Sequence, residues 1–144
     1  MEYEEKDIGN ISIELVKKLI DQKNKIDEKS ATLLFLSGDL GAGKTRLTKE
    51  ILSSFGVDGP VISPTFVVMK KYELKNSPWN SLIHIDAYRM KDENTEILGL
   101  QEIFVDPKNL VVIEWPEYLK NIPDFKHVKV YIEHISETKR KILF

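Results

Sequence analysis

A chain of 144 residues holds one domain at roughly 100–200 residues per domain, which excludes an enzyme built with a separate substrate lobe. Its 42% hydrophobic and 31% charged residues supply a core and exclude wholesale disorder. With 21 basic and 23 acidic residues the net charge is −2, the wrong sign for gripping a nucleic acid backbone directly, and the lack of cysteine removes thiol catalysis, zinc-thiolate sites and disulfides together.

The acidic start, Met1–Asp7, lacks the basic and apolar blocks of a secretory signal, and no apolar run approaches the roughly 20 residues that cross a bilayer, so the expectation is a cytoplasmic protein without membrane contact. Ile13, Val16, Leu19 and Ile20 recur at helical spacing between Asn10 and Gln22, with Asn10 or Ser12 as N-cap. Lys23–Ser30 is a polar connector, and Thr32–Leu36 is a short buried strand running into Ser37-Gly38. After a glycine-rich loop, Leu47, Ile51, Leu52 and Phe55 form a helical stripe closed by Gly56. Phe66–Leu74 and Ser81–Tyr88 read as two strands around the loop Lys75–Asn80. Asp92–Phe104 reads as a helix interrupted by Gly99, Asn109–Ile113 as a fully buried strand, and His127–Ile135 with Thr138–Phe144 as a closing hairpin. The pattern predicts an α/β fold, one P-loop domain over residues 1–144, with a mostly parallel central sheet, antiparallel additions and flanking helices.

Gly38-Asp-Leu-Gly-Ala-Gly-Lys44-Thr45 satisfies G-x-x-x-x-G-K-[ST] between a strand and a helix. Glycines let backbone N–H groups converge on phosphate, Lys44 brings a positive charge to the β- and γ-phosphates, and the Thr45 hydroxyl is a Mg²⁺ ligand. A chance match in a chain of this length has a probability of roughly 0.5%, so the pattern counts as a nucleotide site. Glu114, at the end of the strand after four apolar residues, either holds Mg²⁺ or its water, polarises an attacking water, or is a carboxylate facing solvent. His84, Asp86 and Tyr88 alternate with Ile83 and Ile85, forming either a metal-side or switch-side cluster or the wet face of an edge strand. Ser63-Pro64-Thr65-Phe66 stands where P-loop proteins place a γ-phosphate sensor, with the Thr65 hydroxyl as the reaching group. Trp115 reads as a core anchor. Asn24-Lys25-Ile26-Asp27 matches the guanine-reading N-K-x-D pattern but follows a polar helix end, and no D-x-x-G exists in the chain, so guanine specificity is rejected.

Together, GDLGAGKT at 38–45, SPTF at 63–66, HIDAYR at 84–89 and VVIEWPE at 111–117 resemble the bacterial TsaE family, formerly YjeE, the ATPase of tRNA threonylcarbamoyladenosine biosynthesis. With the intervening Leu98-Gly99-Leu100 the resemblance covers most of the chain. It implies a weakly hydrolysing, ATP- and Mg²⁺-binding protein that acts with TsaD and TsaB and meets tRNA through them. Residue by residue it implies Leu40, Gly41, Ala42, Gly43, Lys44 and Thr45 at the phosphates, Thr45, Glu114 and Asp86 at Mg²⁺, and Lys44, Thr45, Glu114 and Asp86 in catalysis. Thr65 lies in the switch-like segment, and Trp115 stands beside the acidic residue. Ser12 and Val16 occupy the places of the family's Thr and Gly near the nucleotide, making Ser12 the N-terminal nucleotide contact, while Arg46 replaces a second Thr after the loop. Two other readings compete with a partner-dependent ATPase. One is a small-molecule or nucleotide kinase, against which stands the supply of only three arginines, Arg46, Arg89 and Arg140, and no lid-sized insertion. The other is an ATP-dependent binding switch without turnover.

Overall fold

The structure, a computed structural model, describes residues 1–25, 29–59, 69–91, 99–120 and 122–144. Seven strands form one sheet: β1 (Glu2–Glu4), β2 (Thr32–Gly38), β3 (Met69–Glu73), β4 (Ser81–Asp86), β5 (Asn109–Glu114), β6 (His127–His134) and β7 (Lys139–Leu143). Their spatial order is β1-β7-β6-β2-β5-β4-β3. The four central strands β6, β2, β5 and β4 are parallel. β3 is antiparallel at one end, and β7 and β1 are antiparallel at the other. The expected α/β fold with a mostly parallel centre and antiparallel additions is thus observed.

Helices α1 (Ile8–Lys25) and α2 (Lys44–Ser54) cover one face, where Leu15, Leu19, Leu47 and Ile51 pack on Leu34, Leu36, Leu110 and Val112. The short α3 (Leu100–Phe104) helps cover the other, with Phe104 against Leu33, Ile83, Val111 and Ile113. Covered on both sides, β5 is buried along its whole length, which explains why its sequence is a continuous apolar run rather than an alternation. Among the described residues no helix is long and apolar enough to cross a membrane.

Several expectations need correction. The first helix starts at Ile8, directly after a 3₁₀ turn at Glu5–Asp7, so neither Asn10 nor Ser12 caps it. Its inward stripe is Ile8, Ile11, Leu15 and Leu19, spaced three, four and four, whereas Ile13 is exposed. Asn24 and Lys25 end this helix, in keeping with the rejection of a guanine motif. Gly99 adopts φ 76° as the N-cap of α3, so the helix expected over 92–104 does not run through it; residues 92–98 lie outside the described residues. The strand expected over 66–74 is seen from Met69, residues 66–68 lying outside them too. Trp79, in the predicted hairpin loop, is a core residue: its indole N–H donates to Thr32 Oγ1 at 2.9 Å and its ring meets Phe55 edge-on at 5.8 Å. Strand β1 was not expected; Glu2 and Glu4 pair with Lys141 and Lys139 of β7, opposite charges across the register.

The second helix ends as its sequence suggests. Gly56, at φ 77°, follows Phe55, and the amides of Gly56 and Val57 return to the carbonyls of Ser53 and Leu52 at 3.1 and 3.0 Å, a Schellman closure.

Candidate functional site

Strand β2 delivers the loop and α2 leaves from it. Gly38 sits at φ 148° where β2 passes β6 so closely that a Cβ would strike the carbonyl oxygen of Ile132. Gly43, at φ 109°, turns the chain into α2, whose first backbone N–H groups have no side-chain cap and remain directed at the loop. The loop, with the ends of β4 and β5, encloses a pocket of about 270 Å³. Leu40, Gly41, Ala42, Gly43, Lys44 and Thr45 line it with Arg46, Asp86, Glu114 and Trp115.

Lys44 is buried, its ammonium donating to the carbonyls of Gly38 and, at 2.9 Å, Asp39, while lying 4.2 Å from the centre of the Trp115 ring. Burial pushes its pKa below the ordinary lysine range, and the nearby carboxylates of Glu114, Asp86, Asp39 and Glu117 pull it back up. The Thr45 hydroxyl donates to Glu114 Oε1 at 3.1 Å. Glu114 is 2% exposed, and its other oxygen, Oε2, lies 3.0 Å from His84 Nε2. The carboxylate is therefore not the solvent-facing group of one alternative.

Nor is β4 an edge strand: it lies between β5 and β3, with Asp86 in register with Glu114. His84 and Asp86 share its face, as the alternation predicts, and His84 is fully buried. Tyr88 belongs instead to the 3₁₀ turn after the strand, where its amide donates to Asp86 Oδ1 at 3.0 Å.

Trp115 is half-buried and packs against the core on the α3 side of the sheet, as expected, but it also lines the pocket. It takes φ 57° ahead of Pro116, stacks on Tyr118 at 5.8 Å and tilts against Tyr88 at 5.1 Å, forming an aromatic wall of the pocket. Arg46 lines the pocket too and pairs with Glu5 at 3.1 Å.

Most of the expected residues thus meet in one place. Ser12 does not: buried in α1 with its hydroxyl donating to Gly9 O at 2.9 Å, it is not among the described residues lining the pocket; Thr65, with Ser63, Pro64 and Phe66, lies outside the described residues. The residue underrated in the sequence was His84, whose only signal was its alternation with Asp86. Tyr88 was singled out only as a polar group on the strand face, and its aromatic partner Tyr118 gave no signal of its own.

Thr45, Glu114 and Asp86 offer only oxygen donors, the set a hard cation such as Mg²⁺ takes when phosphate and water complete its shell. Among the described residues no group of three His, Cys, Asp or Glu gathers for an all-protein metal cage. The donors fit a cation that arrives with a nucleotide.

A G-x-x-x-x-G-K-T loop between parallel strand and helix, facing a carboxylate at the end of the adjacent strand, defines the P-loop nucleotide-binding class. Within it, the profile of the family "Threonylcarbamoyl adenosine biosynthesis protein TsaE" matches residues 6–142, and the chain belongs to that family. Proteins named tRNA threonylcarbamoyladenosine biosynthesis protein TsaE are similar to it. That of Bacillus subtilis is 36% identical over 116 residues, covering 81% of this chain and 70% of its own. Those of Mycobacterium tuberculosis and Haemophilus influenzae are 35% and 32% identical, covering 76% and 85% of this chain and 68% and 76% of their own. The crystal structure of YdiB from Bacillus subtilus matches with a TM-score of 0.61 at 23% identity, over 99% of this chain and 82% of that one, a likeness of fold.

Proposed function

We propose that this chain binds ATP with Mg²⁺ in the P-loop pocket and hydrolyses it slowly as an accessory to threonylcarbamoyladenosine formation on tRNA, acting with TsaD and TsaB. The observation carrying this reading is the bond from Thr45 of the P-loop helix to Glu114 at the end of β5, with Lys44 beside them. Because Glu114 Oε1 accepts the Thr45 proton, the Thr45 oxygen keeps its lone pairs for a cation. The start of α2, Lys44 and Arg46 supply positive potential for the phosphates, and Trp115 excludes water from one side of Lys44. In hydrolysis a water oxygen bonds to the γ-phosphorus while the bond to the β,γ-bridging oxygen breaks, releasing ADP and phosphate, with the water's proton passing to the phosphate product or to solvent. Thr45, Glu114 and Asp86 would hold Mg²⁺, which would neutralise charge on the phosphate oxygens.

The net charge of −2 supports contact with tRNA through partners rather than directly. The test is reconstitution of the modification on tRNA with purified TsaD and TsaB, with and without this chain. Modification should require the chain and ATP, and Glu114→Ala should lower ATP turnover at least tenfold while leaving ATP bound. Modification that proceeds equally without the chain refutes the role, and phosphorylation of an added small acceptor in place of hydrolysis selects the kinase reading.

A further inference from the structure

His84 has no part in the scheme above, yet it is the fully buried imidazole of a strand whose next inward residue, Asp86, lines the pocket. It lies opposite Val112 in the β4–β5 register, one pleat below Glu114, and its Nε2 meets Glu114 Oε2 at 3.0 Å. The other ring nitrogen, Nδ1, is buried and has no hydrogen-bond partner among the described residues. An ionised carboxylate can only accept, so the proton of this bond belongs on Nε2.

Glu114 then accepts from the Thr45 hydroxyl chiefly on Oε1, at 3.1 Å with a longer 3.5 Å reach to Oε2, and from His84 on Oε2 at 3.0 Å. A carboxylate held by the hydroxyl alone would turn about its terminal bond, because that torsion is broad. Two donors from different elements fix its plane, and the His84 bond to Oε2 leaves Oε1 as the nearer acceptor for Thr45.

We propose that His84 is the positioning residue of this site: its Nε2–H locks the Glu114 carboxylate so that Oε1 stays on the Thr45 hydroxyl. The inference rests on the reading of Glu114 as the acidic residue of an ATP-hydrolysing pocket. A buried histidine that only fills space predicts different behaviour, since leucine of similar bulk would replace it and glutamine would bring no benefit.

His84→Leu is expected to lower kcat for ATP about 10–100-fold, the range for losing an outer partner of a ligating side chain, while KM stays within about threefold. His84→Gln, which returns an N–H donor at similar reach, should recover most of the loss. Melting curves establish that each variant is folded. Should leucine prevent folding, the decision falls to the ¹⁵N and ¹H signals of the histidine rings in the nucleotide-free protein, assigned by their loss in His84→Gln. A proton on Nε2 whose resonance moves in Glu114→Ala supports the lock. An unprotonated Nε2, or wild-type kcat in a folded His84→Leu, overturns it. The ring spectrum needs no nucleotide, so absence of turnover in the unsubstituted protein would count against the ATPase reading alone.

Discussion

Gly38 and Gly41 stand three residues apart in one loop, yet the same added methyl group meets different surroundings. At Gly38 the Cβ would be driven into the backbone oxygen of Ile132, with the Ala42 Cβ 3.4 Å away, at a φ of 148°. A backbone carbonyl cannot swing aside as a flexible side chain would, so β2 and β6 must part. Overpacking of this kind costs about 1–3 kcal/mol, and a backbone region natural only to glycine costs about 1–3 kcal/mol more. At Gly41 nothing lies within 4 Å of the Cβ position and φ is 76°, leaving about 1–2 kcal/mol of left-handed strain. Each kcal/mol moves Tm by roughly 2–4 °C in a domain near this size, so Gly38→Ala should melt roughly 4–24 °C below the unsubstituted protein and Gly41→Ala roughly 2–8 °C below. Binding should follow a different order. Gly41 lines the pocket, so its methyl group enters the space a phosphate needs, and Gly41→Ala should weaken ATP at least tenfold while still folded. Thermal melting and titration of a fluorescent ATP analogue measure the two effects. Equal melting temperatures for the variants, or Gly38→Ala within about 2 °C of the unsubstituted protein, would refute the reasoning.

Because burial lowers the Lys44 pKa and ATP phosphates would raise it again, ATP affinity should be full below the free-protein value and fall as pH rises through it, starting below the ordinary lysine value of about 10.4. Across the same window the unfolded chain holds more protons at this residue, so its contribution to stability rises with pH. Calorimetry in buffers of different ionisation heat reads the proton uptake, and an alkaline fall that persists in Lys44→Ala assigns it elsewhere. Tyr72 has a buried hydroxyl without a partner among the described residues, so Tyr72→Phe should hold Tm or raise it by roughly 2–4 °C; a clear drop would mean that the hydroxyl is satisfied. Glu5 lies 3.1 Å from Arg46 and 3.8 Å from Arg140, and the Arg46 pair is partly exposed, so Glu5→Ala should cost under about 1 kcal/mol. Released from Glu5, Arg46 should tighten ATP binding about two- to fivefold at low salt, and unchanged affinity there would remove Arg46 from phosphate binding.

Strands β2 and β5 could be read because each is buried on both faces. Thr32–Leu36 and Asn109–Ile113 are apolar without alternation, and a run that short between turn signals has few other fates. The β6–β7 hairpin declared itself by the opposite pattern, alternating buried and exposed residues along His127–His134. What escaped reading was created by partners. Glu2–Glu4 has no pattern of its own and becomes a strand by pairing with β7. The inward face of α1 turns on where the helix begins, and the 3₁₀ turn ahead of it moves that start back to Ile8, placing Ile13 outside. Trp79 sits among residues that predict a loop, and loops do hold it, but its ring returns to Thr32 and Phe55.

The same division runs through the site. The P-loop is contiguous, so its sequence carries its shape. Glu114 and Asp86 could each be singled out, but their joint placement follows from strand order: β5 lies between β2 and β4, which sets Glu114 beside Leu36 on one side and Asp86 on the other. That register also brings His84 under Glu114, a diagonal relation that no spacing along the chain encodes. Trp115 is the sharpest case. A tryptophan next to a proline after an apolar strand has the composition of a core anchor, but the residue turns left-handed at a strain of about 1–2 kcal/mol. Its amide still reaches Leu36 O at 3.1 Å and its ring stacks on Tyr118, interactions that offset the strain and hold the indole face over Lys44. The left-handed turn at Trp115 is therefore what gives the phosphate-binding lysine its aromatic wall.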